Sequence, residues 1–554
     1  MSPKPPTTGT GRSRWFGRGT TRLKSLAVVG TVTLGFAGAA FAAAGPASAD
    51  PTFQFVQVGS DTIQFTMDAF ANTVGGGIIG EYDAVNPLTT TPGETITPQL
   101  AGASASAYTS CSFTRPNGSG GGFKAMAYAY TVGSGAGTTT LGQSGTPPQA
   151  NCISMSRSSS APGSVSSATG TPGSLLSSGN FVYVPFAIDA VTYATGPITA
   201  LSETTLCVAS TTGCTNVTNG FGSITFTTTP STIPQGMNLT VAQLQTLYNT
   251  CQPLTVGGTT LNPGTSFSST STAANPAVFT ATGSNLTANQ EVTLSGGVPA
   301  GFTAGTPYFV VAPTANTFEL AATSGGTAIA ATATGTATVQ TIGNIDLYAP
   351  QNGSGTLAFW QNTMGVSAPQ ACWHQTIVAG PAIGVPVEEH DGSALASDPN
   401  GIAPLSIARF VAAKSGADPD LTHGSVLQAV TSAGTTPTVV QPLNSGGTMN
   451  VAGCLTGTSF NQATCFPITR ELFNVMDFFE INNVTPPSGS VGNPAFNAQL
   501  AGLFAGATSG LCRATFTIAQ QGFATIGANS NFPDKCGAST NGLRVQMNNN
   551  SAQG

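Results

Sequence analysis

Apolar and polar positions change their spacing in a repeated way along the chain. In FQFVQVGSDTIQFTMDAF, strand-like spacing of Phe53, Phe55 and Val58 gives way, after Gly59-Ser60-Asp61-Thr62, to Ile63, Met67 and Phe70. A shift from period 2 to period 3.6 across a small polar turn predicts strand, turn and helix in that order. The design returns in FTRPNGSGGGFKAMAYAY, with a turn at 117–122 and a helical face of Phe123, Met126 and Tyr130. CISMSRSSSAP passes from apolar to hydroxyl-bearing residues and stops at Pro162. IDLYAPQNGSGTLAFW turns at 352–356 before a helical face of Leu357, Trp360 and Met364. Four Ser/Thr/Gly turns at strand ends, facing helix starts, describe the ligand rim of an open α/β sheet.

A further helix is predicted in LTVAQLQTLYN, with Val241, Leu244 and Tyr248 on one side and Thr240 as its cap. From about 257 to 342 the pattern becomes a series of short β-like runs, AVFTATG, EVTLSGG, PYFVVAP, TFELAAT and TATVQT, whose only charged side chains are Glu291 and Glu319. A small all-β insert is expected there, loosely similar in pattern to β modules of phage tail and bacterial surface proteins.

The turns carry the candidate chemistry. The first N–H groups of a helix have no internal partner, and Ser, Thr or Gly lets an anion approach them closely. At 352–356 two readings stand side by side: Ser354 or Thr356 caps the helix, or the turn holds an oxyanion.

Charge and cysteine usage narrow the setting. Lys4, Arg12, Arg14, Arg18, Arg22 and Lys24 precede an uncharged run over 25–44 and then Ala47-Ser48-Ala49. That pattern predicts a secretory signal peptide over 1–49, cleaved near Ala49, and a secreted, cell-surface or periplasmic protein without a transmembrane segment or a lipid-bearing cysteine. The mature chain would keep 15 − 6 = 9 Lys and Arg against 21 Asp and Glu, a formal charge of 9 − 21 = −12. Nucleic-acid binding through clustered cations is not expected of such a chain. Ten cysteines in an exported chain are read as disulfides, expected in neighbouring couples: Cys111 with Cys152, Cys207 with Cys214, Cys251 with Cys372, Cys454 with Cys465, and Cys512 with Cys536. The spacing does not itself dictate that pairing. Zinc is the competing reading, but C-x-x-C is missing and only His374, His390 and His423 could assist; no metal or cofactor is expected.

The four turns in this order, with VPFAIDAVTYAT, LTVAQLQTLYN and CFPITRELFNV, resemble the phosphate-binding proteins of ABC import systems. The resemblance covers most of the mature chain apart from the β insert, and NGSGGGFKAM and GSGT are its most specific parts. It implies an α/β fold, a two-lobed clamp of the type II periplasmic binding protein kind, with the all-β insert in the second lobe. Lobe I would take 50–190 and 405–554, and lobe II 191–404, interrupted at 257–342. The family's anion loops fall on Asp61 and Thr62, on Ser119 and Gly120, and on Ser354, Gly355 and Thr356. Its third loop usually supplies an Asp that accepts a ligand proton, where this chain has Ser160. It also usually has an Arg four residues before the Ser of the fourth loop, where this chain has Pro350. Arg115, Lys124 and Arg157 flank the second and third turns, and Arg157 is the leading candidate to restore the cation; the alternative is that it pairs with a carboxylate.

The implied function is capture of a small oxyanion, phosphate or a phosphorylated compound, by closure between lobes, with an ABC importer as partner and no chemical step. Two other functions compete. Catalysis would centre on VEEHDG, where Glu388, Glu389, His390 and Asp391 cluster, but successive residues converge only if the backbone turns sharply. G-x-S-x-G does not occur. The second competitor is an extracellular surface or adhesive protein that keeps the fold without a transport role.

Overall fold

The computed structural model describes residues 52–75, 77–85, 94–100, 111–131, 152–162, 180–197, 233, 236–284, 286–304, 306–341, 343–379, 382–432, 437–451, 466–486, 495–527 and 534–545. The expected signal peptide, Cys207, Cys214, Cys454 and Cys465 lie outside them. Met1–Ala47 and Ser48–Gly554 separate as two units, and every element below belongs to the second.

Alternation followed by helical spacing produces the expected elements at three of the turns. β1 (Phe55–Gly59) leads into α1 (Gln64–Thr73), and β2 (Ile79–Glu81) lies parallel beside β1. α2 (Gly118–Thr131) starts within the Gly-rich turn, and β3 (Met155–Ser158) pairs with β1 in parallel. β4 (Phe181–Thr195) is buried at every position. A strand covered on both faces reads as a near-continuous apolar run, and Asp189 is the only charged residue in it.

α3 (Val241–Thr250) begins at Thr240, whose hydroxyl accepts from the Gln243 amide while the Gln243 side chain accepts from the Thr240 N–H, a reciprocal cap. The β-like runs that follow close into a barrel of β5 (Ser266–Ser271), β6 (Phe279–Thr280), β7 (Glu291–Gly297), β8 (Tyr308–Val311), β9 (Thr317–Ala321) and β10 (Gly335–Thr341). Its core is its own, with Phe279 stacked on Phe318 at 5.4 Å and Val292, Val310 and Val339 around them. Where the chain enters and leaves the barrel it meets itself: the Asn344 N–H donates to the Asn262 carbonyl at 3.0 Å, and the Asn262 N–H to Asn344 Oδ1 at 2.7 Å.

β11 (Asp346–Tyr348), α4 (Gly355–Met364), β12 (Trp373–His374), β13 (Gly401–Ser406), α5 (Ile407–Ser415) and β14 (Thr469–Asp477) complete the frame. α4 buries Leu357, Trp360 and Met364, the face its spacing predicts. Tyr248 of α3 meets Trp360 and Trp373 edge-on, each at 5.3 Å. Such pairs add about 0.5–1.5 kcal/mol to the area they bury.

One sheet runs β12–β11–β13–β4–β14–β3–β1–β2, with three further short strands on β4. β1, β2 and β3 are parallel to one another, as are β11, β12 and β13. Antiparallel β4 and β14 stand between these groups: β14 follows β4 from Phe181 to Ala190, and β13 follows it from Val191 to Thr195. The long strand therefore passes from one half-sheet to the other. The architecture is mixed α/β with a separate barrel; division into two hinged lobes is an implication of the resemblance alone.

Disulfides join Cys111 to Cys152, Cys251 to Cys372 and Cys512 to Cys536, in neighbouring couples. Among the described residues no helix is long and apolar enough to cross a membrane.

Burying carboxyls in so charge-poor a chain changes its response to pH. Burial, the largest cause in each case, pushes Asp68, Glu388, Asp477 and Glu480 up to about 7 and Glu471 up to about 8. These groups bind protons more tightly folded than unfolded, where carboxyls titrate near about 4. Their stabilisation is full below that value and is lost as pH rises through about 7 to 8. Asp391 and Asp420 are held low, Asp391 by His423 and Asp420 by Lys414 and Thr422 against the effect of burial, and act in the opposite sense, losing stabilisation only as pH falls below the ordinary carboxyl range. The urea midpoint is expected to be higher at pH 5 than at pH 8. An equal or higher midpoint at pH 8 would show that these carboxyls are ionised in the fold.

Candidate functional site

Glycine lets the starts of α2 and α4 touch. Gly118 has φ +74°, and a Cβ on it would stand 2.4 Å from the Gly353 carbonyl oxygen. The Gly120 N–H donates to that same carbonyl at 2.9 Å. A Cβ on Gly355 would stand 2.1 Å from Ser119 Oγ and 2.3 Å from Ser159 Oγ. Ser119 Oγ accepts from the Ser159 N–H at 3.0 Å, and Ser60 Oγ donates to Ser159 Oγ at 3.0 Å. All four turns thus meet, with their hydroxyls buried.

What sits among the hydroxyls is a carboxylate of the chain itself. Glu389 Oε2 accepts from Thr62 Oγ1 at 2.8 Å and from Thr356 Oγ1 at 3.2 Å, and Oε1 accepts from the Thr356 N–H at 3.4 Å. Ser354 bonds to Glu389 as well, while its oxygen accepts the Leu357 N–H at 2.9 Å. Ser354 thus caps α4, the first of the two readings of this turn, and the acceptor that its neighbours hold is a carboxylate of the chain itself. Burial raises Asp61, and the Glu389 and Glu388 charges raise it further, well above the carboxylate range. Asp61 is therefore the side that carries the proton in its hydrogen bond to Glu389. Burial by itself would raise Glu389 too, but the hydrogen bonds from Asp61, His390 and Ser354 outweigh it and hold Glu389 well below the usual range.

The two members of the VEEHDG cluster that reach this point do so because His390 has φ +59°. This is the sharp turn that brings successive side chains together. His390 Nδ1 accepts the Ser406 N–H at 3.2 Å, so the ring proton must be on Nε2. Burial lowers the ring below its ordinary value and keeps it neutral. Nε2 lies 2.8 Å from Thr62 Oγ1 and 3.4 Å from Thr356 Oγ1, and in this tautomer it donates to them.

That tautomer sets what the cluster presents. Asp61, Glu389 and His390 bring ligand atoms within 4.8 Å of one another, which is metal-like spacing. Yet Nε2 presents an N–H where a metal requires a lone pair. In this tautomer His390 Nε2 donates to Thr62 Oγ1, so the acceptor of the Thr62 hydroxyl proton is Glu389 Oε2 and not the imidazole. Donors directed at one buried carboxylate are the arrangement of an anion seat.

Charge reaches the seat from the two central strands. Arg470 of β14 stands opposite Asp189 of β4 in the sheet register. Its Nε and Nη2 donate to Asp189 Oδ2 at 3.0 and 2.8 Å, and Nη1 donates to Thr356 Oγ1 at 2.9 Å and the Ser159 carbonyl at 3.2 Å. Asp189 Oδ1 accepts from Ser406 Oγ at 2.7 Å and the Ala408 N–H at 3.4 Å, tying this pair to the start of α5. Arg470 polarises the threonine hydroxyl that in turn donates to Glu389.

Of the residues predicted from sequence, Asp61, Thr62, Ser354 and Thr356 surround the Glu389 carboxylate. Ser119, Gly120 and Gly355 build the wall beside it through the contacts above. Ser160 stays in its own turn, its carbonyl accepting from Ser158 Oγ at 2.8 Å. Arg157 is turned away: it is fully buried, donates to the carbonyls of Ser60, Gly59 and Tyr82 at 2.8, 3.1 and 2.9 Å, and pairs with Glu81. It is a pillar behind the first turn, and Arg470 is the cation beside the seat. Arg470 had a signal in the sequence, as the only Lys or Arg between Lys414 and Arg513.

No known family profile matches the sequence, and no curated protein matches it. Among solved structures, the chain is similar to a possible phosphate binding protein from Planctomyces limnophilus, at 10% identity and a TM-score of 0.28, over 86% of this chain and 94% of that one.

Proposed function

We propose that the protein is an exported solute-binding protein that captures a small oxyanion, phosphate or a phosphorylated compound, without a chemical step. The observation that carries this reading is the ring of donors from Asp61, Thr62, Ser354 and Thr356 around one buried carboxylate, with Arg470 behind the threonines. Neutral dipoles and one indirect cation replace the hydration shell of an anion in such a seat. Three disulfides fit an oxidising compartment outside the cytosol. Ligand entry would open the two half-sheets about β4 and β14, and an ABC importer is the partner such a binder would serve.

One observation favours the rival reading of a surface protein without a transported ligand: Glu389 already occupies the seat. Thermal unfolding of the full chain, disulfides intact, against phosphate, sulfate, organic phosphates and uncharged solutes separates the two. A captured anion at about 100 times its dissociation constant should stabilise the fold by about 2.7 kcal/mol. If no anion at millimolar concentration raises the midpoint, the oxyanion reading fails and the surface-protein reading replaces it.

A further inference from the structure

We infer that Glu389 is the specificity-determining residue of the seat: a tethered carboxylate that a ligand must displace, which restricts the seat to phosphate or a phosphate monoester and excludes carboxylates. This rests on the oxyanion reading above.

The argument starts from what fills the seat. Glu389 accepts hydrogen bonds from the hydroxyls of Thr62 and Thr356, the Thr356 N–H and the Asp61 carboxyl. A free carboxylate could make the same contacts and no others, because it has the same two oxygens. It would also lose translational and rotational freedom, which Glu389 has already given up by being part of the chain. Tethering gives Glu389 an effective concentration in the millimolar range or above, so free carboxylates compete poorly. A phosphate group presents three or more acceptor oxygens and up to two negative charges. It can accept from every donor that Glu389 uses and still offer oxygens to others, and the Arg470 guanidinium stands one hydroxyl away.

The segment that carries Glu389 is fixed on both sides of it. His390 adopts a left-handed backbone, φ +59°, that non-glycine residues seldom take. Two bonds keep the segment in register on either side of Glu389, from the Gln351 N–H to the Val387 carbonyl at 2.9 Å and from the Ser406 N–H to His390 Nδ1 at 3.2 Å. Next to it, Glu388 accepts from Asn117 Nδ2 at 3.1 Å and Gln351 Nε2 at 2.7 Å. Those amides hold the side chain adjacent to the seat.

Full-length wild type, Glu389→Ala and Glu389→Gln are compared by calorimetric titration and thermal melting at pH 7 with sodium phosphate, phenyl phosphate and sodium acetate. Wild type should bind the phosphates and ignore acetate. Glu389→Ala should bind phosphate at least about tenfold more tightly, and acetate should now raise its midpoint, because the tethered competitor is gone. Equal phosphate affinity in wild type and Glu389→Ala, with acetate inert toward both, overturns the inference and leaves the oxyanion reading standing. Phosphate inert toward every protein overturns the oxyanion reading and the inference together. Should Glu389→Ala fail to fold, hydrogen exchange on wild type decides: phosphate should speed exchange over 386–391 while slowing it over 354–358. Phosphate binding with unchanged exchange over 386–391 overturns the inference.

Discussion

Replacing Arg470 by alanine is expected to lower the unfolding free energy by about 3–5 kcal/mol, the cost of leaving a buried charge without its partner. Asp189 is fully buried, and Arg470 supplies two of the hydrogen bonds its carboxylate accepts. The loss does not stop at the pair. Asp189 also holds Ser406 Oγ and the Ala408 N–H at the start of α5, and Ser406 fixes the tautomer of His390. Removing the guanidinium should therefore abolish any oxyanion response as well as reduce stability. Arg470→Lys should rescue little, because an ammonium cannot serve Asp189, the Ser159 carbonyl and the Thr356 hydroxyl in fixed directions at once. Pairing Arg470→Met with Asp189→Asn should recover part of the stability and none of the binding. Urea denaturation with a phosphate titration on each variant measures both. A single-variant loss below about 1 kcal/mol would contradict the burial argument.

Gly118→Ala is the second change with a large expected effect, about 2–4 kcal/mol from two independent sources. At φ +74° an alanine is strained whatever its surroundings. Its Cβ would also stand 2.4 Å from the Gly353 oxygen and 2.9 Å from Ser354 Cα, both of them backbone, so α2 and α4 must part. Parting breaks the Gly120 to Gly353 hydrogen bond and moves Ser354 and Thr356 away from Glu389. Gly502→Ala is the control, since a Cβ there meets nothing within 4 Å. Similar midpoints for the two variants would show that the turns are not nested as described.

Local residues were legible where local physics decides. The change of period after Gly59 and after Gly353 marks helix starts, and helix starts expose N–H groups; Ser354 and Thr356 could be named on that ground, whereas Asp61 and Thr62 were implied by the family resemblance. Arg157 could not be placed, because its direction depends on β2, whose Glu81 receives it 76 residues earlier in the chain. Asp189 is a lone charge in an apolar run and Arg470 stands beside Glu471, but the pairing of Asp189 with Arg470 spans 281 residues and requires the register of β4 against β14. Glu389 was harder still. A run of charges ordinarily marks an exposed loop, and only the left-handed turn at His390 sends this one inward.

The meeting of Asn262 with Asn344 bears on how such a chain can be threaded at all. The two residues are 82 positions apart, yet they are held as neighbours would be at the base of a hairpin. Once the barrel has formed on its own core, the rest of the protein meets that excursion as a short turn, and the entropy of closing a long loop has already been accounted for within the barrel. α3 and β12 can then find each other, and Cys251 can find Cys372, as if the intervening segment were a few residues long. A barrel that forms first would turn a distant pairing in the sequence into a local one in the order of folding.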